Sequence, residues 1–178
     1  MNGSLFLFNP AMALEAVSFY ELKNNYFFKT KDLAQNIQLI RKDFEDERCW
    51  KLLIDESIHY DHLFKMNGFH ITVSLDPNVG RKFVVIEKIS REIGDYSKED
   101  LIELLQLIVD TKNNPSFNLS DSVCRPSKAV QFFVQKAKRM SSELCQNLNI
   151  SSVRDLLKKI LSTGISTSID GQAFAQKI

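Results

Sequence analysis

FHITVSLDPNVGRKFVVIEKI, residues 69–89, decides the fold class. Phe69, Ile71, Val73 and Leu75 alternate with His70, Thr72 and Ser74, a period of two that gives an extended chain one apolar and one polar face. Asp76-Pro77-Asn78-Val79-Gly80 is turn chemistry, because Asp accepts from the backbone just ahead of it and Gly tolerates positive φ. KFVVIEKI, residues 82–89, is a second run rich in β-branched residues. Together these predict an antiparallel hairpin. A lone hairpin is marginally stable in water, so helices must cover its apolar face or another strand must join it. Leu5–Phe8 is the candidate third strand.

Helical patterns flank the hairpin. Asn9 followed by Pro10 is a good helix start, and the first helix is expected from about Pro10 to Asn25. Thr30 is read as the cap of a second helix, in which Leu33, Ile37, Ile40 and Phe44 recur at spacings of four, three and four. A third helix, continuous or kinked near Glu47, ends where Asn67-Gly68 offers a left-handed cap. Ser97 with Asp100 three residues on resembles a capping box, and Leu101, Leu104, Leu105 and Ile108 form the clearest helical stripe. Asn113-Asn114-Pro115 stops that helix, and an irregular loop is expected to Pro126. A helix from Ser127 to about Asn147 should bury Val130, Phe133, Ala137 and Leu144. Another, starting at Ser151 or Ser152 and ending at Gly164, carries Val153, Leu156, Leu157, Ile160 and Leu161. The expected architecture is α+β: a helix-rich single domain, residues 1–164, with one antiparallel β-hairpin or small meander packed against helices. Residues 165–178 are expected to be a loosely packed C-terminal tail.

Composition agrees with one folded domain. The chain has 178 residues, 44% of them hydrophobic and 25% charged, which is an ordinary globular balance. Net charge is +1, with residues 41–100 mildly acidic and residues 101–178 mildly basic. Neither imbalance reaches the basic stripe of a nucleic-acid-binding protein, so no nucleic-acid partner is expected. Cys49, Cys124 and Cys145 are odd in number, widely spaced and without a C-x-x-C pair, which points to reduced thiols. The apolar run at Leu5–Phe8 is too short for a secretion signal, is interrupted by Asn9-Pro10 and has no basic residue ahead of it. No stretch is long enough to span a membrane, and a cytoplasmic protein is expected.

All three histidines fall in IHYDHLFKMNGFH, residues 58–70. On one continuous helix, Asp55, His59 and His62 would face the same way, and His70 could approach from the following strand. These are suitable ligands for one divalent metal ion, which would make the chain a metal-dependent enzyme, for example a hydrolase that activates water. The same wheel puts Cys49, Trp50, Leu53, Tyr60 and Phe64 on the opposite, buried side. The histidine face is then read more plainly as a solvated polar stripe.

Phosphate-cradling, dinucleotide-binding and nucleophile-elbow motifs are absent from the sequence, and no catalytic residue is assigned. Acids cluster at Asp43, Glu45, Asp46, Glu47, Asp55, Glu56 and Asp61, a group suited to steering and docking a basic protein. Arg125, Lys128, Lys136, Lys138 and Arg139 with Phe132 and Phe133 form a weaker basic group. The expected function is a small non-catalytic protein-binding module that occludes a basic partner protein, most concretely a toxin-neutralising protein of the immunity or antitoxin type. It needs no cofactor. Trp50, Tyr60 and Phe64 are its candidate aromatic anchors.

Overall fold

The structure, a computed structural model, describes residues 6–112 and 123–177. In chain order the elements are β1 (Phe6–Phe8), α1 (Pro10–Asn25), β2 (Thr30–Leu39), a short 3-10 turn (Arg41–Asp43), α2 (Glu47–Asp55) and α3 (Ser57–Met66). They continue with β3 (His70–Leu75), β4 (Lys82–Ser90), α4 (Lys98–Lys112), α5 (Ser127–Cys145), α6 (Ile150–Thr163) and β5 (Ala175–Lys177). The architecture is α+β, with six α-helices among the described residues and a three-stranded antiparallel sheet, order β2-β4-β3, packed against helices. No described helix is long and apolar enough to cross a membrane.

The hairpin forms where the alternation places it. β3 pairs with β4 from Ile71↔Ile86 to Leu75↔Lys82. The Asp76 carboxylate accepts from the backbone N–H of Asn78 at 2.8 Å, and Gly80, at φ +64°, closes the turn onto the Asp76 carbonyl. α1 begins at Pro10 with the Asn9 side chain accepting from Met12 N–H. At the start of α4 the Asp100 carboxylate reaches back to the Ser97 N–H at 2.8 Å.

The third strand is not the one expected. Residues 30–39, read as a helix, are the edge strand β2. A spacing of four satisfies a period of two as well as a period of 3.6, so Leu33 and Ile37 do not discriminate between them. Leu39 does: it is fully buried opposite Val84, whereas Ile40, counted in the helical stripe, is 45% exposed. A register shift between Asp32 and Ile37 interrupts the ladder, as is common on edge strands. With β2 and β3 on its two sides, β4 has no edge left for the N-terminal strand. β1 instead pairs antiparallel with β5. Two further expectations are corrected: the helix over 47–66 is broken at Glu56 into α2 and α3, and α6 starts earlier, capped by Asn149. The stop signal Asn113-Asn114-Pro115 lies outside the described residues.

The chain divides into two compact units. Residues 25–130 hold the sheet, α2, α3 and α4. Their core is built from Leu39, Leu53, Phe64, Phe69, Val84, Ile86 and the α4 stripe Leu101, Leu104, Leu105 and Ile108, all of them buried. The other unit, residues 1–24 and 131–178, has a smaller core of Ala13, Ala16, Val17, Leu156 and Phe174. In the tail, Phe174 sits edge-on to Phe8 at 6.1 Å and β5 carries the pairing with β1. α6 buries only Leu156 of its expected stripe, with Leu157 and Leu161 exposed, and Leu144 of α5 is exposed too. Phe133 and Ala137 are buried as expected.

The α3–β3 corner of the larger unit is set by Asn67 and Gly68. Asn67 is fully buried, and its side-chain amide donates to the Leu63 carbonyl at 2.9 Å and to the Cys124 carbonyl at 3.1 Å. Gly68 has φ +80°, and a Cβ there would sit 2.8 Å from the Ser90 Cβ. Gly68→Ala should therefore cost roughly 3 kcal/mol, combining left-handed backbone strain with overpacking. Gly80→Ala, at φ +64° with nothing within 4 Å, should cost only about 1 kcal/mol. Urea denaturation of the two variants checks this, and equal losses would contradict it.

Candidate functional site

The break at Glu56 turns α2 and α3 so that their junction faces β3 across an open groove of about 450 Å³. Ile54, Ile58, Ile71 and Val73 give it apolar walls, and Asp55 and Asp61 stand on its rim. Ile58 is 89% exposed. Isolated exposed aliphatics are common on proteins, but this one adjoins three half-buried aliphatic neighbours and so makes a continuous apolar surface. β3 is an outer strand of the sheet, and no described strand pairs with its far edge.

A second groove, of about 490 Å³, lies where the end of β2, α2 and the start of β4 meet. Its floor is Ile40, Trp50 and Ile54, and its rim is Arg41, Lys42, Arg81 and Lys82. Ile54 lines both grooves, and the Lys82–Asp55 ion pair at 3.4 Å joins their rims. The Arg41 guanidinium donates to the Phe44 carbonyl at 2.6 Å. Lys42 and Arg81 make no ion pair among the described residues.

The proposed metal ligands are not brought together. The wheel that aligned Asp55 with His59 and His62 assumed one helix, but Asp55 ends α2 and the histidines belong to α3. Asp55 faces Lys82, and the His62 ring sits edge-on to Phe27 at 5.1 Å. His59 is exposed, while His70 is half-buried at the start of β3. Among the described residues no three His, Cys, Asp or Glu side chains are placed to hold a metal ion.

Six of the seven clustered acids already have a cation. Asp43 pairs with Lys98 at 3.6 Å, Asp46 with Arg48 at 2.7 Å, Glu47 with Lys51 at 3.1 Å and Asp55 with Lys82 at 3.4 Å. Glu56 pairs with Lys112 and Asp61 with Lys65, both at 2.6 Å. Hydrogen bonds from the Arg48 side chain and backbone hold the Asp46 carboxyl down at about 2, and Asp46 also caps α2. The field that this group presents is correspondingly local, and Asp55 and Asp61 matter because they edge an apolar groove. Of the candidate anchors, Phe64 is core, Tyr60 is half-buried beneath the Lys112 ammonium, and Trp50 contributes to the second groove.

Other candidates fall to packing. Cys49 is buried with its thiol on the Gln106 side-chain oxygen at 3.4 Å, and burial pushes that thiol up, away from the reactive thiolate. Arg125, counted in the basic group, is buried, and Lys128 pairs with Asp100 at 3.0 Å. Sequence reasoning missed Ile58 and the Arg41, Lys42, Arg81, Lys82 rim. Ile58 carried a signal, an isoleucine among the polar residues Ser57, His59 and Asp61; the rim residues are some forty positions apart and carried none.

No known protein-family model matches the chain, and no curated protein resembles it in sequence.

The placement of the histidines gives a direct expectation. Millimolar zinc should leave the melting temperature of the protein unchanged, since a ligand stabilises only in proportion to its occupancy of the folded state. His59→Ala/His62→Ala should lose no more than about 1 kcal/mol, from the exposed Phe27 contact. A zinc-dependent rise in melting temperature, abolished in the double variant, would show that the side chains converge in solution.

Proposed function

We propose that the chain is a non-catalytic protein-binding module that acts by covering a partner protein, most concretely as a toxin-neutralising protein of the immunity or antitoxin type. The observation that carries this reading is the apolar groove at Ile54, Ile58, Ile71 and Val73, open beside the outer edge of β3. An extended partner segment can add to such an edge, with main-chain hydrogen bonds supplying affinity and alternate side chains supplying specificity. Every second side chain of that segment would enter the groove and cover Ile58.

The magnitudes favour this mode. Fully covering an exposed isoleucine is favourable by about 1.5–3 kcal/mol, whereas loosening an exposed ion pair costs at most about 1 kcal/mol. Asp55 and Asp61 can therefore exchange Lys82 and Lys65 for basic side chains of the partner. The acids select the sign of the partner and speed its approach, and the aliphatic wall holds it. Occlusion follows if the covered surface is the partner's working surface.

Affinity capture with wild-type protein and with Ile58→Asp/Asp61→Lys as parallel baits, followed by binding kinetics of the retained protein, tests the proposal. A basic protein held by the wild type should bind the double variant at least 10-fold more weakly, and Asp61→Lys alone should lower the association rate most at low salt. Identical retention by the two baits, or binding indifferent to salt and to both substitutions, would overturn it.

A further inference from the structure

We propose that the second groove, over Ile40, Trp50 and Ile54, binds a small anionic amphiphile: an aliphatic or ring-bearing body with one carboxylate or phosphate head. The groove's volume, about 490 Å³, falls in the range of small-ligand sites, roughly 300–1,000 Å³. Its apolar floor is continuous and its polar lining is entirely cationic. Such a division, body against Trp50 and Ile54 and head among the cations, is how small-ligand sites combine affinity with orientation.

The sign of the ligand follows from the charges around the groove. Of the four rim cations, Arg41 spends one guanidinium nitrogen on the Phe44 carbonyl and Lys82 shares its charge with Asp55. Lys42 and Arg81 have no ion-pair partner among the described residues, so two full charges are available, and Arg81 can receive a carboxylate or phosphate through two parallel N–H donors. Of the acids beside the groove, Asp43 accepts from the Ile40 N–H at 2.8 Å and pairs with Lys98 outside it, and Asp55 is met by the single rim cation Lys82. A cationic or neutral amphiphile meets the same floor without this complement. Phe44 stacks obliquely on Trp50 at 5.4 Å, which holds the indole in place before any ligand arrives.

Trp50 is the sole tryptophan of the chain, so emission excited selectively at tryptophan, away from the four tyrosines, reads this groove. Titration of the full chain with decanoate and with decyl phosphate, below micelle formation, should give a saturable change in Trp50 emission. Decanol should bind at least 10-fold more weakly, and decyltrimethylammonium should give no saturable signal. The ratio of the two anion affinities assigns the head group. Lys42→Glu/Arg81→Glu should weaken the anions at least 10-fold while leaving the urea midpoint in place, because both side chains are exposed. Absence of saturable binding by either anion, equal binding of decanol, or indifference to the charge reversals would each overturn the proposal. Ile58→Asp/Asp61→Lys should leave the anion titration unaltered, which separates this site from the protein-binding groove.

Discussion

A buried arginine and the corner it closes govern the larger unit. The Arg125 guanidinium donates to the Met66 carbonyl at 2.9 Å and to the Tyr26 carbonyl at 2.8 Å, with the Asn67 side-chain oxygen at 3.4 Å. Burial lowers its pKa to about 10, so it remains charged at neutral pH. A charge withdrawn from water is costly unless fixed acceptors replace the water, and the Met66 carbonyl and Asn67 side-chain oxygen take their places where the chain turns at Asn67-Gly68. Three segments distant in sequence are thereby locked to one point: the approach to β2, the α3–β3 corner and the lead into α5. Tyr96, stacked on Phe69 at 4.8 Å, roofs the same region, and burial together with the Asp100 charge raises its phenol far above the ordinary range.

The grooves are consequences of that corner. α3 runs into residues 67–69 and β3 leaves them, and the groove lined by Ile58 and Val73 draws on both elements. Fixing that corner fixes how the two elements meet. α2, anchored through Leu52 and Leu53, leaves Trp50 and Ile54 at the margin of the core, where the second groove forms. The two sites differ in charge because their rims come from different elements: Asp55 and Asp61 from the helical junction, and Arg41, Lys42, Arg81 and Lys82 from the strand ends.

Much of the fold was legible wherever one local pattern had one solution. Alternation through Phe69–Leu75, the Asp76–Gly80 turn, the Asn9-Pro10 cap and the Leu101–Ile108 stripe each specified an element that formed. Residues 30–39 misled because Leu33 and Ile37 fit two periods, and only pairing with Val84 and Ile86 resolves them. The break at Glu56 has no proline or glycine to announce it, and a continuous helix would have buried Leu53 and Phe64 on one side just as well. That one unannounced break undid the metal set built from Asp55, His59 and His62. Of the acidic group, the residues and the local partners Arg48, Lys51 and Lys65 stood within four positions of each other, whereas Lys82, Lys98 and Lys112 arrive from distant segments and were not legible.

We propose the outer edge of β3, an outer strand of the sheet, as the docking edge. Amide hydrogen exchange of the protein alone and bound to its captured partner tests this at residue level. Outward-facing amides within Ile71–Leu75 should exchange markedly more slowly in the complex, in the every-second-residue pattern of an added strand. Unchanged exchange across β3, with protection appearing on another surface such as α6, would contradict the account.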